Sequence, residues 1–132
     1  MQERPPALDG DKVREFVIAG HGNLDRVKEM LAEEPGLINA AWDWGGGDFE
    51  TALGGAAHTG SADIARYLLA NGAHMTIYAA AMLGELALVK AILAVQPDAH
   101  HNPGAHGIPL MVHARQGGEA AADVIALLES LG

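Results

Sequence analysis

Apolar residues recur along the chain in short segments that share one spacing, and a glycine precedes each segment. After Gly60, apolar residues stand four, five, eight and nine places on, within the segment 64–69. The same spacing follows Gly84, within the segment 88–93. Steps of three and four residues place side chains on one face of a helix. The pattern therefore predicts two helices that each bury one apolar face.

Two looser copies extend the pattern to both ends of the chain. Gly22 precedes the first copy, and Gly117 precedes the last, in which about two extra residues are inserted. A short alanine-rich segment comes before each glycine, so we predict four helix–glycine–helix units. Glycine ends the first helix of a unit because it adopts positive φ without penalty. Asn23 and Ser61 are predicted N-caps of helices that follow a glycine, and Thr51 and Thr76 are predicted N-caps of two of the helices that precede one.

These units resemble a known repeat family. Residues 47–60 (Gly-Asp-Phe-Glu-Thr-Ala-Leu-Gly-Gly-Ala-Ala-His-Thr-Gly), with 64–69 and 71–73, look like an ankyrin repeat, and 107–114 resemble the family's Gly-x-Thr-Pro-Leu-His-x-Ala-Ala opening. The chain is most similar to the small stand-alone ankyrin-repeat proteins of bacteria. The resemblance implies an all-α solenoid in a single domain over residues 1–132. Its repeats would span about 12–40, 47–72, 74–97 and 106–131, with short or missing β-hairpins between them.

Composition narrows the function classes. The 132 residues are 49% apolar and carry a formal charge of −9, which disfavours nucleic acid as a partner. No cysteine is present, so disulfides and thiolate metal sites are excluded. No apolar run is long enough to span a membrane. Because no apolar signal stretch follows the first four residues, we expect a cytoplasmic protein.

The resemblance also implies where a partner would bind. In ankyrin proteins a concave surface meets the partner, and the residues just before each repeat glycine lie on it. Here that surface would carry His21, His58, Tyr78, Met82 and Arg115. Because stacked helices lie about 10 Å apart, we expect His21 and His58 to face one region.

The segment between the first two units adds aromatic and acidic side chains around a run of three glycines. Its candidate residues are Trp42, Asp43, Trp44, Asp48, Phe49 and Glu50. In one interpretation the segment covers the concave face and walls a pocket, with Asp48 or Glu50 acting on the histidines as an acid or base. In the other, the tryptophans pack on the neighbouring hairpin and the carboxylates are solvated.

The other histidines have simpler interpretations. His113 replaces a packing alanine, so we expect it to be buried and hydrogen-bonded, with a role in the groove as the alternative. His106 stands at the mouth of the last loop, within reach of the groove or the backbone. The pair His100 and His101 lies in a turn region and is expected to be solvated. With no His-Glu-x-x-His spacing, we assign no metal site and no cofactor.

Two functions from different classes remain. The first is a binding module whose concave face holds a protein partner, with Trp42, Trp44, Tyr78 and Arg115 as the anchors. The second is a small-molecule site or acid–base enzyme in a groove formed by His21, His58 and the segment 42–50. No serine or cysteine nucleophile supports covalent catalysis, and whether any reaction occurs stays open. The apolar last helix either caps the stack or serves self-association.

Overall fold

The computed structural model describes residues 3–132, which form eight α-helices and one small sheet. The elements are α1 (Gly10–Ala19), α2 (Leu24–Glu33), β1 (Ala41–Asp43), β2 (Phe49–Thr51), α3 (Ala52–Thr59), α4 (Ala62–Ala70), α5 (Ile77–Leu83), α6 (Leu86–Val95), α7 (Leu110–Gln116) and α8 (Ala122–Leu131). Short 3-10 helices lie at Pro35–Asn39, Ala99–His101, Ala105–Gly107 and Gly118–Ala121. The mostly helical fold confirms the class predicted from the apolar spacing. Residues 1 and 2, part of the segment inspected for a signal peptide, lie outside the described part.

Three of the four predicted N-caps are confirmed. The side-chain oxygens of Asn23, Thr51 and Thr76 each accept a hydrogen bond from the backbone N–H three residues on, at 3.1, 3.0 and 3.2 Å. The prediction for Ser61 was wrong, because its side chain makes no capping bond to α4. Instead its hydroxyl donates to the backbone carbonyl of His21 at 3.3 Å. Ser61 therefore ties the second helix pair to the end of α1.

The glycines that end the helices use two conformations. Gly60 and Gly84 are left-handed, with φ of 70° and 75°, as predicted for α3 and α5. Gly117 keeps a right-handed backbone with φ of −76°, which corrects the prediction for α7. A Cβ at Gly117 would overlap the carbonyl of Met82. Gly117 is thus needed for close helix approach and not for positive φ.

The helices pack as four consecutive pairs. Within each pair the two helices contact each other, and α1, α3, α5 and α7 contact one another in that order. Helix α7 also contacts α3, two units away. In an extended solenoid each unit contacts only its neighbours, so this contact departs from a straight row. It brings the loop before α7 towards the segment that precedes α3.

That segment is a β-hairpin. Strands β1 and β2 pair antiparallel, with Trp42 opposite Glu50. Its tip contains Gly45, Gly46 and Gly47, all with positive φ. Asp43 fixes the tip, because its Oδ1 accepts hydrogen bonds from the backbone N–H groups of Gly45 and Gly47 at 2.8 and 3.0 Å. Within residues 3–132 no second hairpin separates α4 from α5, in agreement with the short spacing there.

The core consists of two apolar clusters that meet at α5, one formed mainly by α1 to α5 and the other by α5 to α8. Met82 and His113 are buried, at 1% exposure each. Met82 therefore belongs to the core and not to a binding groove, which corrects its assignment. In α8, Val124 and Leu128 are buried against the stack, and self-association through this helix stays a prediction. No helix in residues 3–132 combines the length and the apolar character required to cross a membrane.

Candidate functional site

A buried carboxylate, Glu50, lies at the centre of the site. Its side chain is 0% exposed. Its Oε1 accepts a hydrogen bond from Trp44 Nε1 at 2.9 Å, and its Oε2 lies 2.8 Å from His58 Nε2. His21 Nε2 lies 3.2 Å from Oε2, and His106 Nε2 lies 3.3 Å from Oε1. A carboxylate can remain charged inside a protein when such groups surround it.

His21 is held at the end of α1 by a close approach of two helices. A Cβ at Gly20 would lie 2.5 Å from the carbonyl oxygen of Ala52, so only glycine lets α1 approach α3 this closely. A Cβ at Gly55 would lie 2.6 Å from the imidazole of His21. The ring therefore rests against the bare backbone of α3. Its Nδ1 donates to the carbonyl of Val17 at 2.8 Å, which fixes the orientation of the ring.

His58 stands in the last turn of α3 and faces His21. The two Nε2 atoms are 3.0 Å apart, and the rings meet edge to face with centroids 4.8 Å apart. His21 and His58 were predicted to face one region, and the structure confirms it.

His106 completes the cluster from the loop that precedes α7. It has φ of 60° and is the one residue other than glycine with positive φ in residues 3–132. That backbone is costly for a side chain with a Cβ and persists where the surroundings hold it. Asp48 keeps this backbone in place. Its Oδ1 accepts a hydrogen bond from the backbone N–H of His106, and its Oδ2 accepts one from the ring Nδ1, both at 2.7 Å. The backbone hydrogen bond is the main reason why the pKa of Asp48 lies below its usual value.

These partners decide which ring nitrogens carry hydrogen. Carbonyl and carboxylate oxygens only accept, so Nδ1 is protonated in both His21 and His106. In a neutral ring the Nε2 atom then presents a lone pair. Both lone pairs point to the negatively charged Glu50. His58 Nε2 lies within hydrogen-bond distance of both Glu50 and His21 Nε2, and a cation between the rings would stabilise the lone pairs that face Glu50 further.

The pKa values follow this arrangement. Hydrogen bonding to Glu50 is the largest influence on the pKa of His21 and raises it above 6.5, although burial acts in the opposite direction. Burial is the largest influence on Glu50 and would raise its pKa. The hydrogen bonds and charge of His21, with the help of Trp44 and His106, outweigh it and lower the pKa to about 2.

Four side chains present donor atoms of the kind that ligate metals. One donor atom from each of His21, Glu50, His58 and His106 lies within 4.8 Å of all the others. The cluster is open on one side, because the side chains of His21 and His106 are 26% and 34% exposed. On that side lies a cavity of about 340 Å³ lined by Ile18, His21, Trp44 and His106.

The other residues predicted in the hairpin stand outside the cluster. Trp42 is half-buried and packs on the first core cluster, and a Cβ at Gly10 of α1 would lie 3.4 Å from its ring. Asp43 serves the hairpin tip. Phe49 points to solvent with 62% exposure. Trp44, Asp48 and Glu50 therefore lie beside the histidines, as the first interpretation of the segment predicted. Trp42, Asp43 and Phe49 are packed or solvated, as the second interpretation predicted.

The predicted groove residues of the third and fourth units lie apart from the cluster as well. Tyr78 donates its hydroxyl hydrogen to the carbonyls of Asn102 and Pro103, at 3.0 Å each. His113 packs beside Tyr78 and donates from Nδ1 to the carbonyl of Pro109. Burial foremost lowers the pKa of His113. Both residues hold the loop that carries His106.

Arg115 is exposed and forms no ion pair in the part of the chain that the structure describes. His100 and His101 stack on each other with ring centroids 3.9 Å apart. His101 is exposed as predicted, whereas His100 is partly buried and its Nδ1 is shielded from solvent, which corrects the prediction for that residue.

Sequence reasoning missed that these four donor atoms lie close enough together to hold a metal ion, and it missed the roles of Gly20 and Gly55. The sequence did contain a signal for the role of Gly55. It stands next to Gly54 inside α3, and two adjacent glycines are costly in a helix. No family model matches the sequence, and no curated protein or solved structure matches it either.

Proposed function

We propose that this protein binds one divalent transition-metal ion through His21, Glu50, His58 and His106. The observation that carries the proposal is the convergence of three imidazole Nε2 atoms on one buried carboxylate, with all four donor atoms within 4.8 Å. The Nε2 atoms of His21 and His58 are 3.0 Å apart. Two nitrogens on a tetrahedral zinc ion, each bound at ~2.0–2.1 Å, are about 3.3 Å apart, so a small movement suffices.

The partners behind the ligands support the proposal. Metal-binding histidines generally donate their second N–H to a carbonyl or carboxylate, which orients the ring and leaves the other nitrogen free to bind. His21 does so with the carbonyl of Val17, and His106 with the carboxylate of Asp48. Trp44 orients Glu50 in the same way.

The donor set selects the class of ion. Imidazole suits zinc, copper, iron and nickel, whereas calcium and magnesium prefer oxygen donors. Three imidazoles and one carboxylate therefore favour a first-row transition metal. A dication would also stabilise the two lone pairs that face Glu50.

An ion in this cluster would be accessible to small molecules. Glu50 closes the inner side, while the partly exposed rings of His21 and His106 border the cavity. Structural zinc sites are closed, whereas catalytic sites keep a coordination position open. Four protein donors would fill a tetrahedral site, so a small ligand would bind from this side as a fifth donor, a coordination number that zinc can reach. This assignment extends the interpretation as a small-molecule groove.

The repeat solenoid and the protein-binding module remain proposals beside it. Four helix pairs joined at Gly22, Gly60, Gly84 and Gly117 support an ankyrin-type repeat, and the α3–α7 contact bends it. The exposed Phe49 at the hairpin favours a protein partner at that edge. Met82 and His113 do not support a partner face, because both are buried.

The test is metal binding by the untagged protein, since a histidine tag would bind the same ions. We expect one zinc per chain by elemental analysis, and competition with a chromophoric chelator should give the affinity. His58→Ala should weaken zinc binding by at least about 100-fold, because loss of a ligand exceeds the 10–100-fold cost of losing an outer partner.

The matched control is His74→Ala. His74 is an exposed histidine outside the cluster, and its backbone N–H donates a hydrogen bond to Asn39 Oδ1 at 2.8 Å. This variant should bind zinc like the unaltered protein, and circular dichroism should show that both variants are folded. Equal zinc affinity in the two variants would rule out the proposed centre, and so would the absence of zinc binding by the unaltered protein.

A further inference from the structure

The cavity beside the cluster combines an apolar wall with a cationic rim. Trp44 and Ile18 form the wall together with the rings of His21 and His106. Ile18 is 46% exposed and lies at the mouth of the cavity, so its side chain is accessible to a ligand there.

Arg14 supplies the cationic rim. Arg14, Ile18 and His21 follow one another at steps of four and three residues, which places them along one face of α1. The guanidinium carbon of Arg14 lies 5.8 Å from the centroid of the Trp44 ring. Arg14 forms no ion pair within residues 3–132, whereas Arg26 is paired with Glu15 and Glu29. Its charge is thus available to a ligand above Trp44.

The local charge at the cavity is opposite to that of the whole molecule. The chain carries a formal charge of −9. A dication would balance the charges of Glu50 and of Asp48, which lies 2.7 Å from His106, and Arg14 adds one positive charge at the rim. A small anion is therefore attracted to this cavity, and the rest of the acidic surface repels it.

We infer that the cavity binds a small carboxylic acid with an apolar or aromatic body, its carboxylate held between the metal ion and Arg14 and its body against Trp44 and Ile18. This inference rests on the proposed metal centre. The cavity of about 340 Å³ is at the small end of the range for ligand sites. Guanidinium groups pair well with carboxylates, and the indole face suits a flat ring.

The experiment uses zinc-loaded protein whose zinc content is measured in the same sample. Isothermal titration calorimetry compares three probes: benzoate, its neutral analogue benzamide, and acetate, which lacks the ring. We expect benzoate to bind at least about tenfold more tightly than either of the others, because only benzoate offers both the charge and the apolar body.

Variants then locate the binding. Arg14→Gln should weaken benzoate binding roughly tenfold, the loss of one charged hydrogen bond, and leave zinc content unchanged. Arg115→Gln removes an exposed arginine outside the cavity and should change neither. Ile18→Asn should weaken benzoate but not acetate.

The outcomes separate the two proposals. Zinc bound at one per chain without preference for benzoate would overturn the carboxylate site and leave the metal centre intact. Equal benzoate binding by the Arg14→Gln and Arg115→Gln proteins would also overturn it. Failure to bind zinc would overturn both proposals.

Discussion

Asp48 and His106 form the contact on which the geometry of the site depends most. Asp48 is not among the four donors, yet it fixes both the backbone and the ring of His106 at 2.7 Å. The left-handed backbone of His106 is unfavourable for a residue with a Cβ, so the carboxylate offsets part of that cost. Asp48 is therefore a positioning residue that acts through His106.

Replacement of this carboxylate gives a prediction at the residue scale. Asp48→Asn should weaken zinc binding by about 10–100-fold, because an amide is a weaker acceptor for the ring N–H and leaves the histidine less basic. One zinc per chain should still bind at saturation, since all four donors remain. Chelator competition measures the shift in affinity.

The control is Asp43→Asn in the same hairpin. Asp43 also accepts hydrogen bonds from two backbone N–H groups, but it contacts no histidine. A comparable loss of zinc affinity in both variants would show that the hairpin fold, and not the Asp48–His106 contact, is responsible.

The residues of the site were only partly predictable. His21 lies one residue before Gly22 and His58 two residues before Gly60, so the predicted stacking of the units brought them into one region. Glu50 and Asp48 were identified as carboxylates near them. The proposed metal site could not be derived from the sequence, because the four donors come from three distant segments and metal motifs are read from short fixed spacings. The position of His106 depends on the course of a long loop, which no local pattern fixes.

At the scale of elements, α3 is shaped by its two adjacent glycines. Gly54 and Gly55 lower the helix propensity, and a Cβ at each would meet different surroundings. At Gly55 it would lie 2.6 Å from the His21 ring, whereas at Gly54 its nearest neighbour would be Thr51 Oγ1 at 3.5 Å. Space for His21 thus accounts for only one of the two.

These glycines form a matched pair for a second prediction. Gly55→Ala should displace His21 and weaken zinc binding by about 10–100-fold, as expected for a disturbed ligand orientation. Gly54→Ala should leave zinc binding unchanged and stabilise the metal-free protein by up to about 1 kcal/mol, the difference in helix propensity. Chelator competition and urea unfolding measure the two effects. Unchanged zinc affinity in Gly55→Ala would contradict the packing argument.

The elements themselves were largely predictable, because apolar spacing and capping residues act locally. Thr51 and Thr76 mark the starts of α3 and α5 in the sequence as they do in the structure. The bend that places α7 against α3 was not predictable, since it depends on the close fit of Gly60 to the carbonyl of Gln116 across the fold.

At the scale of the whole molecule, the cluster couples folding to pH. In the metal-free protein the pKa of Glu50 is lowered from 4.5 to about 2, so its contribution to stability is present above 4.5 and is lost as the pH falls towards 2. The pKa of His21 is raised above 6.5, so its contribution is present below 6.5 and is lost as the pH rises through the higher value.

Bound zinc should reverse the loss of stability that the metal-free protein shows as the pH rises. Metal and protons compete for the histidines, so zinc binding strengthens as the rings lose their protons. We expect the difference in Tm between zinc-loaded and EDTA-treated protein to grow from pH 5.5 to pH 8, while the EDTA-treated protein alone becomes less stable over the upper part of this range. Thermal unfolding followed by circular dichroism gives both curves. A difference in Tm that is independent of pH would place the zinc on groups other than histidines.

The contact between α7 and α3 also governs the order in which the site can assemble during folding. His21, Glu50 and His58 lie within the first two helix pairs, whereas His106 arrives only with the last. Contacts between residues far apart in sequence form late, since a long loop must close first. We therefore expect the first three donors to come together before α7 docks and brings the fourth. A complete set of four donors would then show that the far end of the chain has folded.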